Sequence, residues 1–237
     1  MILFLLVFFL LVRITKQREK FVIVTSHWNE DLKWLTSSKY PVVLIDHQGS
    51  APSVIQPTTT IPNRGREASS YLRYILDNYD SLPEHIAFIH GHEHAWHHKN
   101  GPLLPLIDSA SLTDDMYFTL NGHYDHGSIS LEKSFVRDWH VVEPWLGPLP
   151  KTPPCHDFAA QFIVSRNRIQ SRPKKMYQVM YDYIVHPRTD HYGVGNFYEY
   201  IWHYIFKERW NECFSPAFPD AKKNSFPRID DYRKLGF

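Results

Sequence analysis

Between Phe88 and His98 the sequence reads FIHGHEHAWHH, which places five histidines, His90, His92, His94, His97 and His98, within nine positions. Neutral imidazoles suit zinc, manganese or iron when three of them converge on one ion. His94 and His97 are three residues apart, and so are His123 and His126 in HYDH. A hydrolase that activates a metal-bound water could be built from His90, His92, His94 and either His123 or His126. The zinc-protease pattern HExxH is not the route, because Trp96 stands where its second histidine would be. A wet polar loop without metal is the plain alternative.

Position offers a second reading. The cluster follows an apolar run and begins where a strand should end. In Rossmann-like enzymes that use nucleotide sugars, an acidic pair at such a place holds a divalent ion against the diphosphate and neutralises leaving-group charge. Here the place is occupied by His90-Gly91-His92, with Glu93 next. Imidazole can ligate Mn²⁺, although it is a departure from carboxylate.

Upstream, NRGRE (Asn63, Arg64, Gly65, Arg66, Glu67) opens a helix. A glycine that lets the backbone approach closely, a helix N-terminus and two arginines together favour a phosphate. The other reading is a capped helix with surface arginines. Further on, Asp157, Glu199 and His203 are polar exceptions within otherwise apolar patterns. A carboxylate beside a pocket can deprotonate a sugar hydroxyl, whereas a satisfied buried carboxylate does nothing chemical. No GxSxG occurs, so serine-nucleophile chemistry has no support.

The elements that would position these groups follow from the apolar runs. FVIVTS (Phe21–Ser26), PVVLID (Pro41–Asp46) and HIAFIH (His85–His90) are short continuous runs of the kind that form buried parallel strands. NEDLKWLTSS predicts a short helix capped by Asn29. Ala68, Tyr71, Leu72, Ile75 and Tyr79 recur at helical spacing after NRGRE, and Pro83 closes that helix. Strand, helix, strand, helix, strand is the pattern of a Rossmann-like half-sheet, in which ligands bind outside the carboxyl ends of the strands. Three polar clusters, SHWNED, DHQG and HGHEH, fall at those ends. The stretch 100–154 reads as loops and short strands, 156–173, 174–185 and 195–210 as helices, and the tail from Phe214 as irregular.

Bulk composition is permissive. With 237 residues, 43% hydrophobic and 15% aromatic, the chain can build one large core. Twenty-six Lys and Arg against 25 Asp and Glu lack the basic excess of a general nucleic-acid binder. Cys155 and Cys213 are too few for a disulfide scaffold, although one bridge is possible. Met1 to Val12 is an unbroken apolar run followed by Arg13, Lys16, Arg18 and Lys20. Twelve helical residues span roughly 18 Å, less than the ~30 Å hydrocarbon core. The expectation is a membrane-associating segment over 1–20 and an α/β domain over 21–237. Basic flanking residues favour a cytosolic face, while a secretory-pathway enzyme of the Golgi or endoplasmic reticulum would need the opposite orientation.

VTSHWNEDLKWL, IPNRGREASSYLRYILDNYDSLPEHIAFIHGH, AAQFIVSRNRIQSRP and YIWHYIF together resemble an uncharacterised family, a domain of unknown function met in fungi, algae and large viruses. The resemblance runs from about Phe21 to Trp210. More distantly, the order of elements resembles the GT-A class of glycosyltransferases. That likeness implies a single Rossmann-like domain with a mostly parallel sheet flanked by helices. It also implies transfer of a sugar from a nucleotide donor to a glycan or other hydroxyl acceptor, aided by Mn²⁺ or Mg²⁺. It would put Ser26, His27, Asn29 and Glu30 by the nucleotide, and Asn63, Arg64, Gly65 and Glu67 beside the donor sugar or diphosphate. His90 and His92 would take the metal, with His203 completing its shell. Gln161 and Arg166 would lie on the acceptor side, and Glu199 or Asp157 would be the base. The histidine-based hydrolase remains a rival. So does a non-catalytic carbohydrate binder, which would keep cleft aromatics such as Trp28 and Trp96 but no carboxylate in reach of a hydroxyl.

Overall fold

The computed structural model describes residues 20–49, 54–95, 101–121, 124–125, 133–151, 156–157 and 160–210. The apolar run Met1–Val12, Trp96, His97, His98, His123, His126, Cys155, Cys213 and the tail lie outside them. Among the described residues, no helix is long and apolar enough to cross a membrane.

The three long apolar runs form strands. β1 (Phe21–His27), β2 (Val42–Asp46), β3 (Thr59–Thr60) and β4 (His85–Ile89) pair in parallel, in the order β3-β2-β1-β4. Parallel neighbours need crossover connections, and α1 (Arg66–Asn78) supplies one of them between β3 and β4. On the other side of β4 the sheet continues with β8 (Phe162–Ser165) and then β5 (Tyr117–Thr119). β8 is antiparallel to both neighbours. The sheet is therefore six-stranded and mostly parallel. A second, two-stranded sheet pairs β6 (Tyr124–Asp125) with β7 (His156–Asp157).

Both faces of the large sheet are covered, which explains why its strands read as continuous rather than alternating apolar runs. Val22 and Val24 of β1 point to one face, where α1, α6 (Lys174–Val185) and α7 (His191–Ile205) pack. Phe21 and Ile23 point to the other, covered by α2 (Leu103–Ser109) and the 3₁₀ turn Lys33–Ser37. The expected stripe on α1 is the buried one: Ala68, Tyr71, Leu72 and Ile75 are each 0% exposed, with Tyr79 partly buried at its end.

Three local expectations are revised. The turn after β1 is 3₁₀ and starts at Lys33, not at Asn29; the Asp31 carboxylate accepts from the Lys33 amide. The stretch 156–173 is not a helix. Its FIVS core is β8, and among its described residues only Arg166–Gln170 (α5) is helical, capped by the Ser165 hydroxyl. The middle contains helices, α2, α3 (Lys133–Trp139) and α4 (Glu143–Leu146), where loops and short strands were expected. In each case a four- to seven-residue element is chosen by tertiary packing, which overrides weak local propensity.

Candidate functional site

β1, β2 and β4 all end on the same side of the sheet, because they are parallel and in register: Thr25 pairs with Leu44 and with Ile89. The segments leaving these ends are polar, and they enclose a cleft of about 420 Å³. Its walls come from Ser26 at the end of β1, Trp28 and Glu30 after it, His47 after β2, and His90-Gly91-His92 after β4. Asn63, Arg66 and Glu67 at the head of α1, and Tyr192 on α7, close it.

Glu30 is the best-defined acid in the cleft. Its Oε2 accepts from the backbone amides of Trp28 (2.6 Å) and Asn29 (3.1 Å), which fixes the carboxylate's orientation. Oε1 faces His92 Nε2 at 3.8 Å. The glycine between the two histidines makes this approach possible. A Cβ on Gly91 would lie 3.0 Å from Cβ and Cγ of Glu30 and from the Ser26 carbonyl. Gly91→Ala should therefore push Glu30 by a few tenths of an ångström while costing about 1 kcal/mol of stability or less. Thermal denaturation close to wild type, alongside weakened ligand binding in the cleft, is the expected pair of observations.

His90 is set by its backbone. Its amide donates to Gln161 Oε1 (2.9 Å), while Gln161 Nε2 donates to Asn121 Oδ1 (2.7 Å). Gln161 is 1% exposed and precedes β8, so the antiparallel strand delivers a buried amide to the end of β4. His47 is buried too. Its ring makes a 2.7 Å hydrogen bond to the Ser70 hydroxyl, which in turn meets Ser26 Oγ at 3.1 Å. Burial holds the His47 imidazole below its ordinary pKa and hence neutral at physiological pH.

The head of α1 carries consecutive left-handed residues, Gly65 at φ +83° and Arg66 at φ +51°. For an arginine this conformation costs roughly 1–2 kcal/mol. The result is an Arg66 guanidinium 3.7 Å from the centroid of the Tyr192 ring and 3.5 Å from Glu199 Oε1. Behind it, Glu67 and Glu199 share a hydrogen bond. Burial raises both carboxyls above the usual range, Glu199 far above it, and the negative charge of Glu67 raises Glu199 further. Both carboxyls are thus pushed toward the neutral form as a pair, and the Arg66 guanidinium beside them opposes that shift.

Of the expected residues, the structure brings together Ser26, Glu30, Asn63, Glu67, His90 and His92 on the cleft wall, with Glu199 behind Glu67 and Gln161 behind His90. Others point elsewhere. The His27 ring is 2% exposed and binds Asp46 Oδ1 at 2.8 Å, tying β1 to β2. Asn29 contributes its amide to Glu30. The Arg64 guanidinium donates to the carbonyls of His186 and Thr189, both at 2.9 Å, and the Gly65 amide donates to His191 Nδ1 at 3.1 Å. NRGRE is thus locked to the α6–α7 connection, and Arg64 is not turned to a phosphate. Arg166 sits at the opposite end of the sheet, where it donates to the Leu82 carbonyl, because β8 runs antiparallel to β4. His203 packs with Trp210 away from the cleft. Asp157 lies in β7; its side chain is outside the described residues. Of the hydrolase set, His94 is exposed beside Glu93. Arg66, one of the two arginines expected to favour a phosphate, lines the cleft, as do His47 and Tyr192, which were not singled out as ligands.

The profile of a family described as "Protein of unknown function (DUF3431)" matches residues 22–219. The chain belongs to this family. The matched span contains every residue of the cleft wall. No match was found among curated proteins or among solved structures.

Proposed function

We propose that the protein is a glycosyltransferase of GT-A-like type that binds a nucleotide-sugar donor in this cleft and transfers the sugar to a glycan or other hydroxyl acceptor. The observation that carries the reading is the placement of acids and imidazoles at the carboxyl ends of parallel strands. Glu30 and His92 face each other on one wall, and Glu67 lies across the cleft at the head of α1. Ligands of open α/β sheets bind at such ends.

Glu30 and His92 are the residues that would hold a divalent ion, with His90 adjoining. Among the described residues no three His, Cys, Asp or Glu side chains converge on one position. Two protein donors suit Mg²⁺ or Mn²⁺ in a site completed by substrate phosphates and water. The ion's chemistry there would be to neutralise charge on the departing diphosphate. Trp28 and Tyr192 offer aromatic faces on the rim. A purely binding role leaves the paired carboxylates without purpose. The apolar segment Met1–Val12 would tether the enzyme to the membrane that carries or adjoins its acceptor.

The test is a thermal-shift titration of the full-length chain with UDP, GDP and their sugars, with and without Mn²⁺. At a ligand concentration near 100 Kd, one selective nucleotide should stabilise the fold by about 2.7 kcal/mol, or roughly 5–10 °C in a chain of this size. Stabilisation by Zn²⁺ alone, with no response to any nucleotide, would replace this reading with metal-dependent hydrolysis.

A further inference from the structure

The notable feature of the cleft is the pair of carboxyl groups behind Arg66. Glu67 lines the cavity, whereas Glu199 stays buried, 7% exposed, behind Glu67 and Arg66. Glu67 Oε1 is shielded from bulk water and accepts no hydrogen bond among the described residues. One oxygen of a cleft carboxylate is thus left without a donor, while its other side is tied down by Glu199.

We propose that Glu67 takes the proton of the acceptor hydroxyl and that Glu199 is the positioning residue which keeps the Glu67 carboxylate aimed at it. The inference rests on the transferase reading above and names its proton acceptor. The acceptor O–H bond breaks and its proton moves to the Glu67 carboxylate. The oxygen's electron pair forms the new bond to the sugar's anomeric carbon, whose bond to the diphosphate breaks with both electrons leaving on the phosphate. Protonation neutralises the Glu67 carboxylate, and the proton then returns to water.

The surroundings suit this task. On α1, Arg66 stands beside the pair and Tyr71 lies near both carboxyls; on α7, Tyr192 holds the Arg66 guanidinium. His90, His92, Glu30 and His47 are on the other walls, and β7, which carries Asp157, packs beside α7. Arg66 supports negative charge on the two carboxyls, and its stacking on Tyr192 fixes it in place. A carboxyl group moved upward toward neutrality accepts a proton more effectively than an ordinary surface glutamate.

The experiment measures hydrolysis of UDP-glucose, UDP-galactose and GDP-mannose by the full-length chain, with water as the acceptor, and calorimetric binding of UDP and GDP. Glu67→Gln should bind UDP or GDP as wild type does and lose ~10²–10⁴-fold in kcat. Glu199→Gln, whose amide still donates to Glu67, should keep most of the turnover. Glu199→Ala removes that donation, so the acid limb of its pH profile should move to higher pH; a merely structural role would lower the rate equally at every pH. Nucleotide binding with undiminished turnover in Glu67→Gln overturns the assignment and leaves the transferase reading standing. Absence of any nucleotide binding removes that reading, and this assignment with it.

Discussion

Glu30→Ala should abolish the Mn²⁺ dependence of nucleotide binding and lower the affinity for the diphosphate by at least 10- to 100-fold. Changes one shell removed from a metal already have effects of about that size, and Glu30 offers the oxygen itself. The two amides that hold Oε2 would lose their acceptor, but they sit in an exposed turn where water can replace it. The melting temperature of the free protein should therefore change little. His92→Ala should follow the same pattern, since the two side chains face each other at 3.8 Å. Calorimetric titration with UDP and GDP, with and without Mn²⁺, reads both effects. Equal affinities in the presence and absence of metal for wild type and variant alike would remove the ion from the site.

The second large effect is on stability. Gly65→Ala places a methyl group 2.5 Å from Cγ1 and Cδ1 of Ile184 on α6, at a φ of +83° that L side chains rarely adopt. Overpacking costs about 1–3 kcal/mol and the left-handed backbone roughly 1–2 kcal/mol. Together they should lower the melting temperature by roughly 10 °C in a chain of this size. Gly101 separates the two contributions. Its φ is +94° with nothing within 4 Å of an added Cβ, so Gly101→Ala carries only the backbone cost. If the two variants melt alike, the packing between α1 and α6 is looser than described. Because the Gly65 backbone amide also donates to His191, displacement of this backbone by the added methyl should loosen Arg66 and Tyr192 as well.

Much of the architecture was legible. β1, β2 and β4 announce themselves because a strand buried on both faces must be apolar throughout, and α1 because only one of its faces is covered. β8 was not legible. FIVS lies between AAQ and RNRIQ, which favour a helix, and its strand identity comes from β4 on one side and β5 on the other. The convergence of SHWNED, DHQG and HGHEH could be anticipated from parallel strands alone. The partners on α7 could not. Tyr192 reaches Arg66, and Glu199 reaches Glu67, only because α7 packs on α1, and no local pattern encodes that approach. Arg64 misled for a related reason: an arginine at a helix start suits a phosphate, but here two carbonyls of the α6–α7 connection reach it first. The inversion of β8 likewise carries Arg166 to the far edge while leaving Gln161 at the cleft.

That inverted strand has a consequence for how the chain is made. β4 lies in the middle of the sheet, yet its second neighbour is β8, which leaves the ribosome only after α1, α2 and β5 have emerged. Until then the five buried positions of β4, four of them apolar, present an open, hydrogen-bonding edge. Synthesis therefore passes through a stage in which the half that carries Glu30 and the histidines is already chained together but cannot yet close, and chaperones have most to guard there. Delivery of Gln161 against His90 ends that exposure, so in the growing polypeptide the sheet is sealed and the β4 wall of the cleft is fixed by the same event.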